Sequence, residues 1–251
     1  MIKIFRNIRQ RTLGENRFSR YLVYAVGEII LVVIGILIAL GINDWNQDHK
    51  NQQHEALYLK DLNRDIKADI VTLQERITGN DERLANIDAI IKVLGSNEKY
   101  HVNDIPKFLS YNLSLTSESY FIPEKSTINQ IESSSDGNLI TNKKLRDRIF
   151  SYYSNCERTE KNMEVSIQLY QHHFITKEIA KPVFINKEVF MLEYGLSMDI
   201  PGIDIPALAK NKDYLTALIA KREGTKGQNK EYHKLIDSAS GIIALIESEL
   251  K

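Results

Sequence analysis

Residues 22–42 read LVYAVGEIILVVIGILIALGI, an apolar run that contains a single charged residue, Glu28. As a helix this run is about 31 Å long at ~1.5 Å per residue, close to the ~30 Å hydrocarbon thickness of a bilayer. It is apolar around its whole circumference, unlike an amphipathic surface helix, which has one polar face. The run therefore predicts a transmembrane helix surrounded by the lipid bilayer.

The residues on either side of the run predict its orientation. Residues 1–20 hold one acid, Glu15, and an excess of basic side chains: Lys3, Arg6, Arg9, Arg11, Arg17 and Arg20. Basic residues collect on the cytoplasmic side of a span, so the N-terminus is expected in the cytoplasm. Tyr21 and Tyr24 at one end and Trp45 at the other stand where interfacial aromatic anchors belong. The predicted division is a basic cytoplasmic segment 1–20, a transmembrane helix 21–43 and an extracytoplasmic domain 44–251.

A cleavable signal peptide is the main alternative to an anchor. Ala39 and Gly41 have the small-x-small spacing of a cleavage site. The apolar run, however, is longer than the usual hydrophobic region of a signal peptide, and the basic segment before it is also long. The sequence therefore favours an uncleaved anchor.

One face of the predicted span carries features that a plain tether does not require. Gly27, Gly35 and Ala39 fall on one side, and Gly35-x-x-x-Ala39 is a small-x-x-x-small pattern that lets two helices approach closely. The pattern predicts a homodimer through the transmembrane helix. Glu28 is costly inside a bilayer unless it is protonated, hydrated or paired. It reaches back toward Arg20 or Arg17 in the basic segment, acts as a proton relay, or pairs with another membrane protein.

The composition of the whole chain limits the function classes. Basic and acidic residues balance at 33 each, and the basic excess of residues 1–20 leaves the rest mildly acidic, which argues against nucleic acid as a partner. The one cysteine, Cys156, excludes an intrachain disulfide and a cysteine-based zinc site. With only 5 prolines and 12 glycines, the chain favours long helices over many short strands.

Beyond Trp45 the apolar residues follow the period of a helix. The apolar residues recur in steps of three and four: Leu59, Ile66, Ile70, Leu73, Ile77, Leu84, Ile87, Ile91 and Leu94. Asn63 and Asn80 occupy the two remaining positions of this stripe. Because the phase is kept across Gly79-Asn80, we predict one helix over 55–94. Continuity of this helix with the span is left open by the sequence. A hairpin at Gly79-Asn80 is the alternative. An asparagine in such an apolar stripe often sets helix register.

Shorter elements are expected between the long helices. Gly95-Ser96-Asn97 ends the first helix, and Asp104 caps a short helix with Pro106 in its first turn. Residues 114–125 read as irregular, Ser126 begins a helix that extends to Ile131, and residues 133–138 form a turn.

Two further long helices complete the predicted fold. Asn142 caps a helix that ends at Lys181-Pro182, with an apolar stripe of Leu145, Ile149, Tyr152, Tyr153, Cys156, Met163, Ile167, Tyr170 and Phe174. Residues 182–206 are a loop or short elements, and residues 212–250 form a last helix with a break or weak point at 224–227. The predicted fold class is all-α: one N-terminal transmembrane helix followed by an antiparallel bundle of long helices.

The candidates for chemistry have simpler structural explanations. His172 and His173, beside Glu178 and near His233, are the nearest thing to a metal cluster, but adjacent histidines on a helix point ~100° apart. Residues 133–135 are three serines, which a capping turn explains better than a nucleophile does. Cys156 lies on an apolar stripe and reads as a core residue. No catalytic, metal or cofactor site is predicted.

Several motifs resemble a known family. The stretch from Tyr24 to Trp45, the basic opening MIKIFRNIRQ, the run from Asn142 to Asp147 and the pair Tyr152-Tyr153 resemble the DUF6090 group of uncharacterised bacterial membrane proteins, found mainly in Bacteroidota. The resemblance implies an inner-membrane location and no activity.

Three functions are compatible with these expectations. The first is a non-enzymatic, single-pass membrane protein whose helical domain binds an envelope protein, an envelope component or a small ligand. The second is a sensor-like accessory subunit that couples ligand binding to a membrane partner through Glu28. The third is a membrane-tethered hydrolase whose site the sequence does not reveal.

Overall fold

The computed structural model describes residues 17–96, 105–116, 120–133, 139–170, 187–197 and 201–251, and the single residues 179, 183, 185 and 199. Its helices are α1 (Arg17–Gly95), α2 (Ile105–Leu113), α3 (Ser126–Ser133), α4 (Lys143–Tyr170), α5 (Lys187–Tyr194), α6 (Ile205–Leu208) and α7 (Lys212–Glu249). The described ranges contain no strand. The all-α fold class is confirmed.

The chain divides into two compact units, residues 1–56 and 57–251. In the first unit, every described side chain from Tyr21 to Lys50 is exposed. Among the described residues, α1 is the one helix whose length and composition allow it to cross a membrane, and its most apolar window is not buried. This helix is a candidate membrane span.

α1 is one unbroken helix of 79 residues. The hairpin at Gly79-Asn80 does not form, and the prediction of one helix over 55–94 is confirmed. The helix ends at Gly95, where the backbone N–H and the hydroxyl of Ser96 both turn back to the Val93 carbonyl.

The helix starts follow local capping chemistry. Asn142 accepts a 3.1 Å hydrogen bond from the Leu145 N–H at the start of α4, as predicted. Asn211 accepts from two N–H groups at the start of α7, and Asp204 caps the short α6. The predicted cap Asp104, the turn at 134–138 and the end of α4 near Lys181-Pro182 lie outside the described residues.

The last helix differs from the prediction. α7 runs without interruption from Lys212 to Glu249, so the break at Gly224 to Gly227 is absent. Isolated glycines cost about 1 kcal/mol each in a helix interior, which packing of the buried face of α7 offsets.

Long-range contacts give the direction of each long helix in the bundle. Lys67 pairs with Glu247 while Asp88 pairs with Arg222, so α1 and α7 are antiparallel. Asn142 at the start of α4 contacts Glu249 at the end of α7, so α4 and α7 are also antiparallel. α1 and α4 therefore run in the same direction, and the connection through α2 and α3 has to return along the bundle.

The buried stripe of α1 corrects the predicted one. Leu59, Ile66, Leu73 and Ile87 are buried as expected. At four of the five alternate positions, however, the buried residue lies one position earlier than predicted: Leu62, Asp69, Arg83 and Ile90 are buried, and Ile91 is 40% exposed. At the fifth, Ile77 is partly buried against the core. Hydropathy missed this phase because Asp69 and Arg83 are polar, and only their partners in the fold make their burial possible.

The described apolar core consists of two clusters. The near cluster joins the middle of α1 to α3, α4 and the second half of α7, with Leu62, Ile66, Ile149 and Ile242 among its members. The far cluster joins the end of α1 to α2, α6 and the first half of α7, and it includes Ile87, Phe108, Tyr214 and Leu218.

Candidate functional site

The residues predicted to pack or pair within the span all lie on the exposed surface of α1. Gly27, Glu28, Gly35 and Ala39 are exposed, and a Cβ placed on Gly27 or Gly35 would meet no atom within 4 Å. Neither glycine is therefore needed for packing within one copy of the chain. The surface is open for another helix to pack against, and the dimer remains a prediction.

The three predicted interfacial anchors are exposed as well. Tyr21 is 80%, Tyr24 61% and Trp45 70% exposed. The Trp45 ring stacks on His49 one turn later, with centroids 6.2 Å apart. An amphipathic aromatic side chain in this position suits the polar edge of a bilayer.

Within the helical bundle, two buried aspartates on α1 form a polar site with the segment that leads into α3. Asp65 and Asp69 are each 2% exposed. Four residues apart, they lie on one face of the helix, one turn above the other. Both carboxylates accept hydrogen bonds from residues 124–127, so this polar site holds the connecting segment against α1.

Asp65, which lies on α1, caps the start of α3. Its Oδ2 accepts hydrogen bonds from the Thr127 hydroxyl at 2.5 Å, the Ser126 hydroxyl at 3.1 Å and the Thr127 backbone N–H at 3.3 Å, all at the start of α3. Arg64 donates to the other oxygen. Burial acts to raise the pKa of Asp65, but the hydrogen bonds from Thr127, Arg64 and Ser126 outweigh it and hold that pKa below its usual value.

For Asp69, burial has a larger effect on the pKa than the hydrogen bonds do. Asp69 accepts from the Glu124 backbone N–H at 2.7 Å and from the Tyr152 hydroxyl at 2.9 Å. Burial outweighs these two hydrogen bonds and raises the pKa of Asp69 to about 6. Two carboxylates one turn apart thus have pKa values displaced in opposite directions.

The α4 side of this polar site is aromatic. Tyr152 and Tyr153 pack edge to face with centroids 5.2 Å apart. Burial raises the pKa of the nearby Cys156 thiol to about 12, so it is protonated at neutral pH, in agreement with its predicted role as a core residue. The Tyr153 hydroxyl is buried and has no hydrogen-bond partner among the described residues.

A second buried polar group lies farther along α1. The Asn80 side chain donates to Gln228 at 3.0 Å and to Asn229 at 2.8 Å on α7, and it accepts from Arg83. Gln228 in turn donates to the Tyr232 hydroxyl at 2.8 Å. Asn80 therefore fixes the register between α1 and α7, as an asparagine in an apolar stripe was expected to do.

The histidines that came nearest to a metal cluster in the sequence, and for which no metal site was predicted, lie largely outside the described residues. His233 is exposed on α7, whereas His172, His173 and Glu178 lie outside the described residues. The described part of the chain contains no group of three or more potential metal ligands. Of the three serines, Ser133 ends α3, where its hydroxyl donates to the Gln130 carbonyl.

A model of a protein family of unknown function, DUF6090, matches residues 28–159. The chain belongs to the DUF6090 family. No curated protein and no solved structure matches it. The DUF6090 match begins at Glu28, within the candidate membrane span, and includes Asp65, Asp69 and Tyr152. All of α7 lies beyond the matched region.

Sequence reasoning missed the two central residues of the buried site in this DUF6090 protein. Asp61, Asp65 and Asp69 recur every four residues beside the apolar stripe, and this spacing was the available signal. Acids at that spacing usually form a solvated helix face. Asp61 does so, since about half of its side chain is exposed. Only the fold shows that Asp65 and Asp69 are buried.

Proposed function

We propose that this DUF6090 protein is a single-pass protein of a bacterial inner membrane whose helical domain lies in the periplasm. We further propose that this domain is a non-enzymatic binding module for an envelope protein, an envelope component or a small ligand. The exposed apolar surface of α1 over Tyr21 to Ile42 carries the proposal. A single chain exposes so large an apolar surface only where a lipid bilayer or a partner protein covers it. The basic residues before it support the orientation.

The buried aspartates are poor candidates for the acids of a hydrolytic site. Each carboxylate oxygen of Asp65 and Asp69 accepts hydrogen bonds from the protein itself. These bonds attach both the segment that leads into α3 and the helix α4 to α1. The two acids thus have a structural task, and the hydrolase alternative would have to use other residues.

Cysteine labelling of the full-length protein in intact cells tests the orientation. The chain has one cysteine, and Cys156 is buried with a raised thiol pKa, so reaction at this position is expected to be slow. In a Cys156→Ala background, we expect a membrane-impermeant maleimide to label Ser248→Cys, whose position is exposed on α7. It should label Thr12→Cys only after the cells are lysed.

The Cys156→Ala protein without a new cysteine is the control for background labelling. If position 12 and not position 248 is labelled in intact cells, the orientation is the opposite of the proposed one. Recovery of the chain from the membrane by alkaline carbonate would show that α1 is not an integral span and would end the proposal.

A sensor-like accessory subunit is the second candidate function, favoured by the position of Glu28. Its carboxylate is exposed beside Ala25, Ile29 and Val32 on an otherwise apolar surface, where a charged group of a membrane partner could pair with it. In native membranes, a photo-crosslinker at Ile29 should capture such a partner in the wild type. Capture should fall in Glu28→Gln and persist in Glu28→Asp, and equal capture in all three proteins would exclude pairing through the charge.

A further inference from the structure

The interface between α1 and α7 is polar over one stretch in the middle of the bundle. Asn80 and Arg83 are buried on α1, and Lys221, Thr225 and Gln228 are buried on α7. Asn80 and Gln228 bond across the interface at 3.0 Å. We call these five residues the polar layer.

The polar layer lies between the near and far apolar clusters. On α1 the last fully buried apolar residue before it is Leu73 and the first after it is Ile87. On α7 the corresponding residues are Leu218 and Tyr232. Each interval is fourteen residues, or about 21 Å of helix. Asn80 contacts Asn229 and Asp88 pairs with Arg222, so the two intervals overlap only between about Asn80 and Ile87 of α1. In that shared stretch, neither helix has a fully buried apolar residue.

Glycines occupy the outer faces of both helices at this level. Gly79 precedes Asn80 on α1, and Gly227 precedes Gln228 on α7; both are exposed. A Cβ on either glycine would meet nothing within 4 Å, and neither has a positive φ. No packing or backbone requirement in the described structure therefore calls for glycine here, although glycine makes a helix interior easier to bend.

We propose that the polar layer is a hinge at which the far half of the bundle bends relative to the near half. Rigid apolar clusters on both sides move as bodies, because close-packed cores resist deformation. A hydrogen bond between side-chain amides persists while its donor–hydrogen–acceptor angle stays above about 150°, so these contacts can survive a small bend. A bend at this layer repositions α2 and α6, which pack in the far cluster.

The hydrogen bonds of the layer continue into the near half. Gln228 donates to the Tyr232 hydroxyl, which also accepts the Phe121 backbone N–H at 3.1 Å. Phe121 belongs to the segment that Asp69 holds through Glu124. The near side of the hinge is therefore anchored to α1, α4 and α7, and the far half is the part that moves.

Distances between pairs of spin labels test the hinge in the full-length protein in detergent micelles. In a Cys156→Ala background, one pair crosses the layer, Ser154→Cys with Thr216→Cys. A second pair, Ser154→Cys with Ser248→Cys, stays within the near half, and all three positions are exposed. We expect the crossing pair to give a distance distribution at least about twice as wide as the second pair. Adding Gly79→Ala and Gly227→Ala should narrow the crossing distribution to the width of the second.

Gly241→Ala is the matched control, since Gly241 lies on the same helix α7 within the near half, where an added Cβ would be 3.7 Å from Arg148. It should leave both distributions unchanged. The hinge is overturned if the two pairs are equally narrow in the wild type, if the two alanines do not narrow the crossing pair, or if Gly241→Ala narrows it as much.

Discussion

The Tyr152 hydroxyl donates a 2.9 Å hydrogen bond to the Asp69 carboxylate, deep between α4 and α1. Its neighbour Tyr153 is also buried, at 5% exposed, but its hydroxyl has no hydrogen-bond partner among the described residues. The two adjacent tyrosines are thus both buried and differ in their polar contacts. This difference allows the contribution of the Asp69 contact to be separated from that of aromatic packing.

Removing the two hydroxyls should therefore have different effects on the free energy of unfolding. Tyr152→Phe should lower the free energy of unfolding by about 1.5–3 kcal/mol, because a buried charged acceptor loses its donor. Tyr153→Phe should change it by less than about 0.5 kcal/mol or raise it, because no described hydrogen bond is lost and a buried hydroxyl is removed. Urea unfolding of the full-length proteins in micelles, followed by circular dichroism, measures both. Equal losses of unfolding free energy in the two variants would contradict the prediction.

The raised pKa of Asp69 predicts that stability depends on pH. A folded-state pKa of about 6, above the value of 3.8 for the unfolded chain, means that the folded state binds this proton more tightly. The contribution is fully present below the unfolded pKa and is lost as pH rises through about 6. Its size is on the order of 3 kcal/mol. The free energy of unfolding of the wild type should thus increase as the pH falls from 7.5 to 5.

Asp69→Asn isolates this contribution, since the amide can still accept from Glu124 and contact Tyr152. We expect the variant to be at least as stable as the wild type at pH 7.5 and to have a flatter dependence on pH from 7.5 to 5. The lowered pKa of Asp65 removes stability only as pH falls below its usual range. Identical pH profiles for wild type and variant would contradict the raised pKa.

The cap that Asp65 provides to α3 can be tested against a close neighbour on the same helix. Asp65→Ala removes the acceptor for Ser126 and Thr127 and should cost about 2–4 kcal/mol, since buried donors are left unsatisfied. Asp61→Ala, one turn earlier, removes only an exposed contact with Arg64 and should cost less than about 0.5 kcal/mol. Similar losses of unfolding free energy in both variants would mean that the charge on the helix, and not the cap of α3, determines the effect on stability.

The small-residue face of the span predicts self-association. Gly35→Ile should abolish association of the isolated span in a membrane two-hybrid assay, because a branched side chain keeps two backbones apart. Gly41→Ile is the control: Gly41 is equally open but lies on a different side of the helix. Unchanged association in Gly35→Ile, or equal loss in both variants, would exclude this face as the dimer contact.

Much of the fold was predictable because it depends on local chemistry. The start of α3 at Ser126, the cap at Asn142 and the end of α1 at Gly95 follow from turn and capping residues close in sequence. The stripe of α1 was less predictable: its inward positions include Asp69, Asn80 and Arg83, and of these only Asn80 stood in a predicted slot. Hydropathy alone cannot reveal a buried polar residue, since its burial depends on partners far along the chain.

The sequence by itself determined the apolar helix, because length and composition decide whether a segment can enter a bilayer. It also determined the all-α class through helical periodicity and scarce prolines. Only the tertiary structure decided that Asp65 and Asp69 turn inward while Asp61 stays exposed. It likewise decided that Asn80 meets Gln228 between two apolar clusters. These pairings join residues up to 148 positions apart, and the energy of a buried polar group depends on the partner that folding supplies.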